Sequence, residues 1–104
     1  MSLPKPYYDD GRGIVIYHGD CKDILPYLEP VDLVLTSPPY DGLRDYCGYD
    51  FDYKVTAHRL LDNLKYGGVI VWIVGDQVMD DNESGSSFNH ALYFKSLGLN
   101  LHDT

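Results

Sequence analysis

The residues best suited to chemistry in this sequence are Thr36-Ser37-Pro38-Pro39-Tyr40. Two consecutive prolines remove two backbone donors and fix two φ angles, so whatever flanks them is held at a set spacing. Here that is a serine hydroxyl, the neighbouring main-chain carbonyls and one aromatic ring. A rigid cluster of this kind can clamp a flat polar group, accepting hydrogen bonds at its edge while the ring lies on its face. Taken alone, Ser-Pro-Pro-Tyr is equally compatible with a strand-ending turn or a polyproline ligand for an aromatic groove. Gly19-Asp20-Cys21 and Gly75-Asp76-Gln77 are two further polar clusters. Asp20 has a simple alternative role as a helix N-cap, and Asp76 is either a loop acid or a pocket residue. His18 and Cys21 lie three apart without the second pair that a zinc site needs, and no base partner marks Cys47 as a nucleophile, so no metal is expected.

Each cluster ends an apolar run, and the runs indicate what must position them. Ile14-Val15-Ile16-Tyr17 is short, mostly β-branched and bounded by turn formers, which predicts a buried strand. Asp20 then caps a short helix carrying Ile24, Leu25 and Leu28, kept short by Pro26 and Pro30. Val31-Asp32-Leu33-Val34-Leu35 predicts a second strand, ended by the prolines, and residues 41 to 53 read as a surface loop. Val55, Leu60, Leu61 and Leu64 predict a helix over 55 to 66 with Gly67-Gly68 as its C-cap. Val69-Ile70-Val71-Trp72-Ile73-Val74 predicts a central strand of a parallel sheet, covered on both faces. Residues 77 to 86 read as a polar loop, Phe88 to Leu97 as a helix ended by Gly98, and Asn100 onward as the start of another strand. Strands alternate with helices, so the fold class is an α/β sheet with right-handed crossovers. Ligands collect at the carboxyl ends of the strands in such sheets, and all three polar clusters fall there.

Composition narrows the possibilities further. The 104 residues make one domain or part of one. Apolar residues at 44% and charged residues at 23% match a soluble globular chain. Eight Lys and Arg against sixteen Asp and Glu leave a net charge of −8. That balance disfavours a self-sufficient nucleic-acid-binding module, whose affinity comes largely from neutralising phosphates. Two cysteines are too few for a disulfide scaffold and suggest a reducing, cytoplasmic setting. No run approaches about 18 apolar residues, and Ser2, Pro4 and Pro6 stand where a signal peptide would need a basic patch and an apolar run, so no membrane association is expected.

Thr36-Ser37-Pro38-Pro39-Tyr40 resembles the catalytic motif of the DNA amino-methyltransferases, which methylate exocyclic amino groups of cytosine or adenine. The Ser-Pro-Pro-Tyr form is more similar to the cytosine-N4 branch than to the adenine branch, where Asp more often takes the serine position. Gly19-Asp20-Cys21, Gly42-Leu43-Arg44-Asp45-Tyr46, Leu64-Lys65-Tyr66-Gly67-Gly68-Val69, Trp72 and Gly75-Asp76 follow the family's order, and the resemblance runs from about Gly13 to the end. It implies a Rossmann-like, S-adenosylmethionine-dependent methyltransferase fold, here a partial parallel sheet with flanking helices. It also implies that Tyr40 stacks on a base flipped from the duplex, offsetting about 1–3 kcal/mol of the extrusion cost. Ser37 and the Pro38 carbonyl would accept hydrogen bonds from the exocyclic amino group, with Pro39 completing the catalytic motif. Asp20 would accept from the cofactor's adenine amino group, with the Cys21 amide beside it and Thr36 on the same cofactor side.

In the family's permuted order the glycine-rich Phe-x-Gly-x-Gly loop and the ribose-binding acid lie downstream, after a target-recognition segment. Residues 1–104 are thus expected to be the catalytic-motif part of a methyltransferase domain, without the cofactor glycine loop and the recognition region. The implied activity is site-specific methyl transfer from S-adenosylmethionine to the exocyclic amino group of a flipped base, N4 of cytosine first. The implied partner is double-stranded DNA through the full-length enzyme, together with a second copy or a completing chain. The alternative is an inactive remnant of the fold that serves as an oligomerisation or interaction module.

Overall fold

Aspartates and glycines decide the first structured segment. The computed structural model describes residues 4–38 and 52–102. Strands β1 (Tyr8–Asp9) and β2 (Val15–Ile16) form an antiparallel hairpin, Tyr8 opposite Ile16 and Asp9 opposite Val15. In its turn the Asp9 carboxylate accepts from the Gly11 amide at 2.8 Å, and the Asp10 carboxylate from Arg12 and Ile14 amides at 2.8 and 3.0 Å. Those amides, Arg12 first, hold the Asp10 carboxyl below its ordinary 3.8. Gly11 and Gly13 supply the left-handed backbone, with φ of 71° and 111°. The buried strand expected over residues 14 to 17 is therefore corrected: Ile14, Val15 and Ile16 are exposed and pair locally. Closing a short loop with strong turn formers costs little entropy, so the nearby partner wins over a distant one.

A short helix α1 (Cys21–Ile24) and a 3-10 turn (Leu25–Tyr27) follow, as Asp20 and the prolines predict. Strand β3 (Val31–Thr36), helix α2 (Tyr53–Asp62) and strand β4 (Leu64–Trp72) then make a parallel strand pair with a helical connection. Asp52 caps α2, its carboxylate accepting from Lys54 and Val55 amides at 3.0 and 3.3 Å. The register sets Leu33 beside Val69, Val34 beside Ile70, Leu35 beside Val71 and Thr36 beside Trp72.

Helix α2 ends at Asn63 rather than at Gly67-Gly68. The buried Asn63 amide, oriented to donate, reaches the Leu28 and Leu25 carbonyls at 3.1 and 3.2 Å, and its own carbonyl accepts from Val31 at 2.8 Å. These bonds tie the helix end to β3, so the chain enters β4 early. The glycines lie inside β4 in a register irregularity, where the chain advances from Leu64 to Val69 while β3 advances from Val31 to Leu33. Gly67, at φ 81°, supplies the backbone the bulge needs.

The polar segment after β4 is not a plain loop. Strands β5 (Val78–Met79) and β6 (Asn82–Glu83) pair through Asp80 and Asp81, both left-handed at φ 53° and 60°. Aspartate tolerates that region, which lets a two-residue hairpin turn form without glycine. Helix α3 (Ser86–Ser96) closes the described elements, with Gly98 at φ 102° and the Leu99 amide donating to the Phe94 carbonyl at 3.2 Å. Residues 99–102 carry no regular structure, so no strand starts at Asn100 within the described residues. Of the loop expected over 41 to 53, residues 41–51 lie outside them, while Asp52 and Tyr53 cap and start α2.

Burial is one-sided. Ala57 and Leu60 of α2, Phe94 of α3 and Pro38 after β3 are buried, joined by Thr56, Asn63 and His90. They lie on the side of the strand pair that carries Thr36 and Trp72. On the opposite side Leu33, Leu35 and Val69 are 57%, 66% and 55% exposed. The expectation that β4 is covered on both faces is corrected for the described residues, because α2 and Trp72's partners on α3 share one side. No described helix is long and apolar enough to cross a membrane.

Candidate active site

A cavity of about 590 Å³ opens where β3 ends and α1 begins. That size falls within the roughly 300–1,000 Å³ of small-molecule sites. Asp20, Cys21, Thr36, Ser37 and Pro38 all line it, so residues 16 positions apart in the chain share one wall system. Pro39 and Tyr40 lie outside the described residues.

The end of β3 is anchored by its neighbour. The Ile73 amide donates to the Thr36 carbonyl at 2.9 Å, and the Ser37 hydroxyl donates to the Ile73 carbonyl at 3.2 Å. With its proton committed to Ile73, the Ser37 oxygen retains its lone pairs and offers itself as an acceptor. Pro38 is buried next to it and cannot donate.

Across the cavity, Asp20 acts as a cap. One carboxylate oxygen accepts from the Lys22 amide at 3.1 Å and the other stands 3.6 Å from the Lys22 ammonium. Burial, and then the Asp20 charge, push the Cys21 thiol above its ordinary 9.0, partly opposed by the Lys22 amide and the Thr56 hydroxyl.

Sequence reasoning overlooked Thr56, Leu60 and the position of Trp72 in this wall. Thr56 was detectable as a polar residue on the apolar stripe Thr56, Ala57, Leu60 of α2. Trp72 becomes a neighbour only through the register, which pairs it with Thr36. Asp76 does not line this cavity and ties to α3: its carboxylate accepts from the Ser87 amide at 2.8 Å and the Ser87 hydroxyl at 2.6 Å, placing negative charge at the start of that helix. The His18 ring meets Tyr7 edge-on at 6.1 Å. Among the described residues no group of three or more His, Cys, Asp or Glu is arranged to hold a metal.

A parallel strand pair whose polar, proline-ended terminus opens into a cavity is compatible with a segment of a methyltransferase. The chain is 54% identical over 86 residues to the orphan methyltransferase M.BamHII of Bacillus amyloliquefaciens. The match covers 83% of this chain and 29% of that protein, so the chain spans less than a third of the curated relative's length. Similarity at that level relates the chain to a methyltransferase. No protein-family model matches the chain, and no solved structure matches it.

Proposed function

We propose that this chain is the catalytic-motif part of an S-adenosylmethionine-dependent DNA amino-methyltransferase with a Rossmann-like fold. Its target would be the exocyclic amino group of a flipped base, N4 of cytosine first, in double-stranded DNA bound by the full-length protein in the cytoplasm. The carrying observation is Ser37, which lines the cavity while its hydroxyl donates to the Ile73 carbonyl, leaving the oxygen an acceptor. An amino group that donates to Ser37 and to the Pro38 carbonyl keeps its lone pair localised on nitrogen and directed away from the acceptors. Tyr40 would hold the base by stacking. Asp20 and Cys21 would hold the cofactor's adenine end, a role that suits a carboxylate set in the same cavity as the apolar walls of Leu25, Leu60 and Trp72. S-adenosylmethionine, when bound, supplies an electrophilic methyl group.

Calorimetric titration with S-adenosylmethionine followed by a tritiated-methyl transfer assay on DNA tests this reading. Binding and transfer are expected, with Tyr40→Ala lowering transfer roughly ten- to hundredfold and Ser37→Ala about tenfold. Chromatography of the digested product separates N4-methylcytosine from N6-methyladenine. Absence of both binding and transfer in the full-length protein overturns the reading. The exposed apolar face of β3 and β4 favours the second reading, an interaction module, which predicts association without either activity.

A further inference from the structure

Trp72 lines the cavity, yet its polar edge is held from outside it. The indole Nε1–H donates to Nδ1 of His90 at 3.0 Å, with the two rings edge-on at 5.9 Å and 76°. An Nδ1 that accepts is unprotonated, so the imidazole proton sits on Nε2 in the neutral ring. His90 is 6% exposed and does not line the cavity. The ring of Tyr53, from the first turn of α2, lies over it at 4.1 Å and 33°, and Tyr93 closes edge-on against Tyr53 at 5.7 Å. One turn further along α3, Phe94 meets the Trp72 ring at 5.0 Å. Two residues of α3, four apart on one face, thus grip the indole, one by a directional bond and one by packing.

From this geometry we infer that His90 is a positioning residue for the cavity: it sets the Trp72 indole as a wall against which a flat heterocycle packs. The inference rests on the methyltransferase reading for the identity of that heterocycle. An indole rotates about two side-chain bonds, and packing alone tolerates several orientations. A single hydrogen bond to a buried, stacked acceptor selects one. The connection also links α2 and α3 to the ligand site through Tyr53 and His90, so the layer that builds the core also sets the wall.

Trp72 is the sole tryptophan in the chain, so its fluorescence reports on this wall alone. His90→Phe keeps a ring against Tyr53 but removes the acceptor, whereas His90→Asn places an amide oxygen near the position of Nδ1. In titrations with S-adenosylmethionine, His90→Phe is expected to weaken binding about three- to tenfold, one hydrogen bond's worth, while His90→Asn stays within about twofold of the parent. In a Trp72→Phe background, His90→Phe is expected to cost nothing more, because the partner is already gone. Equal losses from both His90 variants, or an undiminished loss in the Trp72→Phe background, overturn the inference. Acrylamide quenching of Trp72 without ligand provides a second readout: His90→Phe should quench more readily than the parent and His90→Asn should not. If the full-length protein binds no S-adenosylmethionine, the methyltransferase reading fails by itself, and unchanged quenching in His90→Phe overturns the positioning role separately.

Discussion

The two faces of the β3–β4 pair are built from the same kinds of residue and meet opposite fates. Val34 and Ile70 sit on the face that α2 and α3 cover, alongside Thr36 and Trp72. Leu33, Leu35, Val69 and Val71 alternate with them and stand in solvent. Their hydropathy cannot separate the two sets, because a run apolar at every position records capacity for cover on both sides and not which side is filled. The chemistry follows the filled side: the cavity, Ser37 and the gripped Trp72 all lie there. A site needs walls that hold their positions, and only packed side chains do so.

Substitutions can break or sharpen that contrast. Phe94→Ala removes the ring that packs on Trp72 and is expected to cost about 3–5 kcal/mol of stability in urea denaturation. A cost under about 1 kcal/mol would show that the covered face does not hold the fold. Asp52→Ala removes the α2 cap and should cost about 1 kcal/mol by the same measurement, since α2 is the covering layer. Leu35→Thr on the open face keeps a strand-favouring residue and should change stability by no more than about 0.5 kcal/mol. A larger loss would mean that something covers this face in solution, and the contrast between the two faces would fall.

Legibility followed range. Asp20 as the cap of α1, Asp52 near the start of α2, Gly98 after α3 and the prolines ending β3 depend on contacts within a few residues, and three of these four were read from the sequence. The exception is Asp52, which falls in the polar stretch that reads as a loop although its carboxylate caps α2. The run over residues 14 to 17 has the strand character its residues predict, but its partner is local and leaves it exposed. Gly67-Gly68 is ambiguous by itself because glycine serves a helix end and a strand bulge equally well, and Asn63, fixed by distant carbonyls of the 3-10 turn segment, decides between them.

The order of residues by itself determined the α/β character, the short capped helices and a rigid acceptor cluster at the end of β3, since these depend on dihedral preferences and neighbours close in sequence. Tertiary structure alone decided that Thr56 and Leu60 complete the cavity wall, that Trp72 stands beside Thr36, that His90 holds the indole, and that one strand face is left open. Those outcomes depend on strand register and on which side the helices settle. Both are set by many weak contacts between segments far apart in the chain, and no local pattern encodes them.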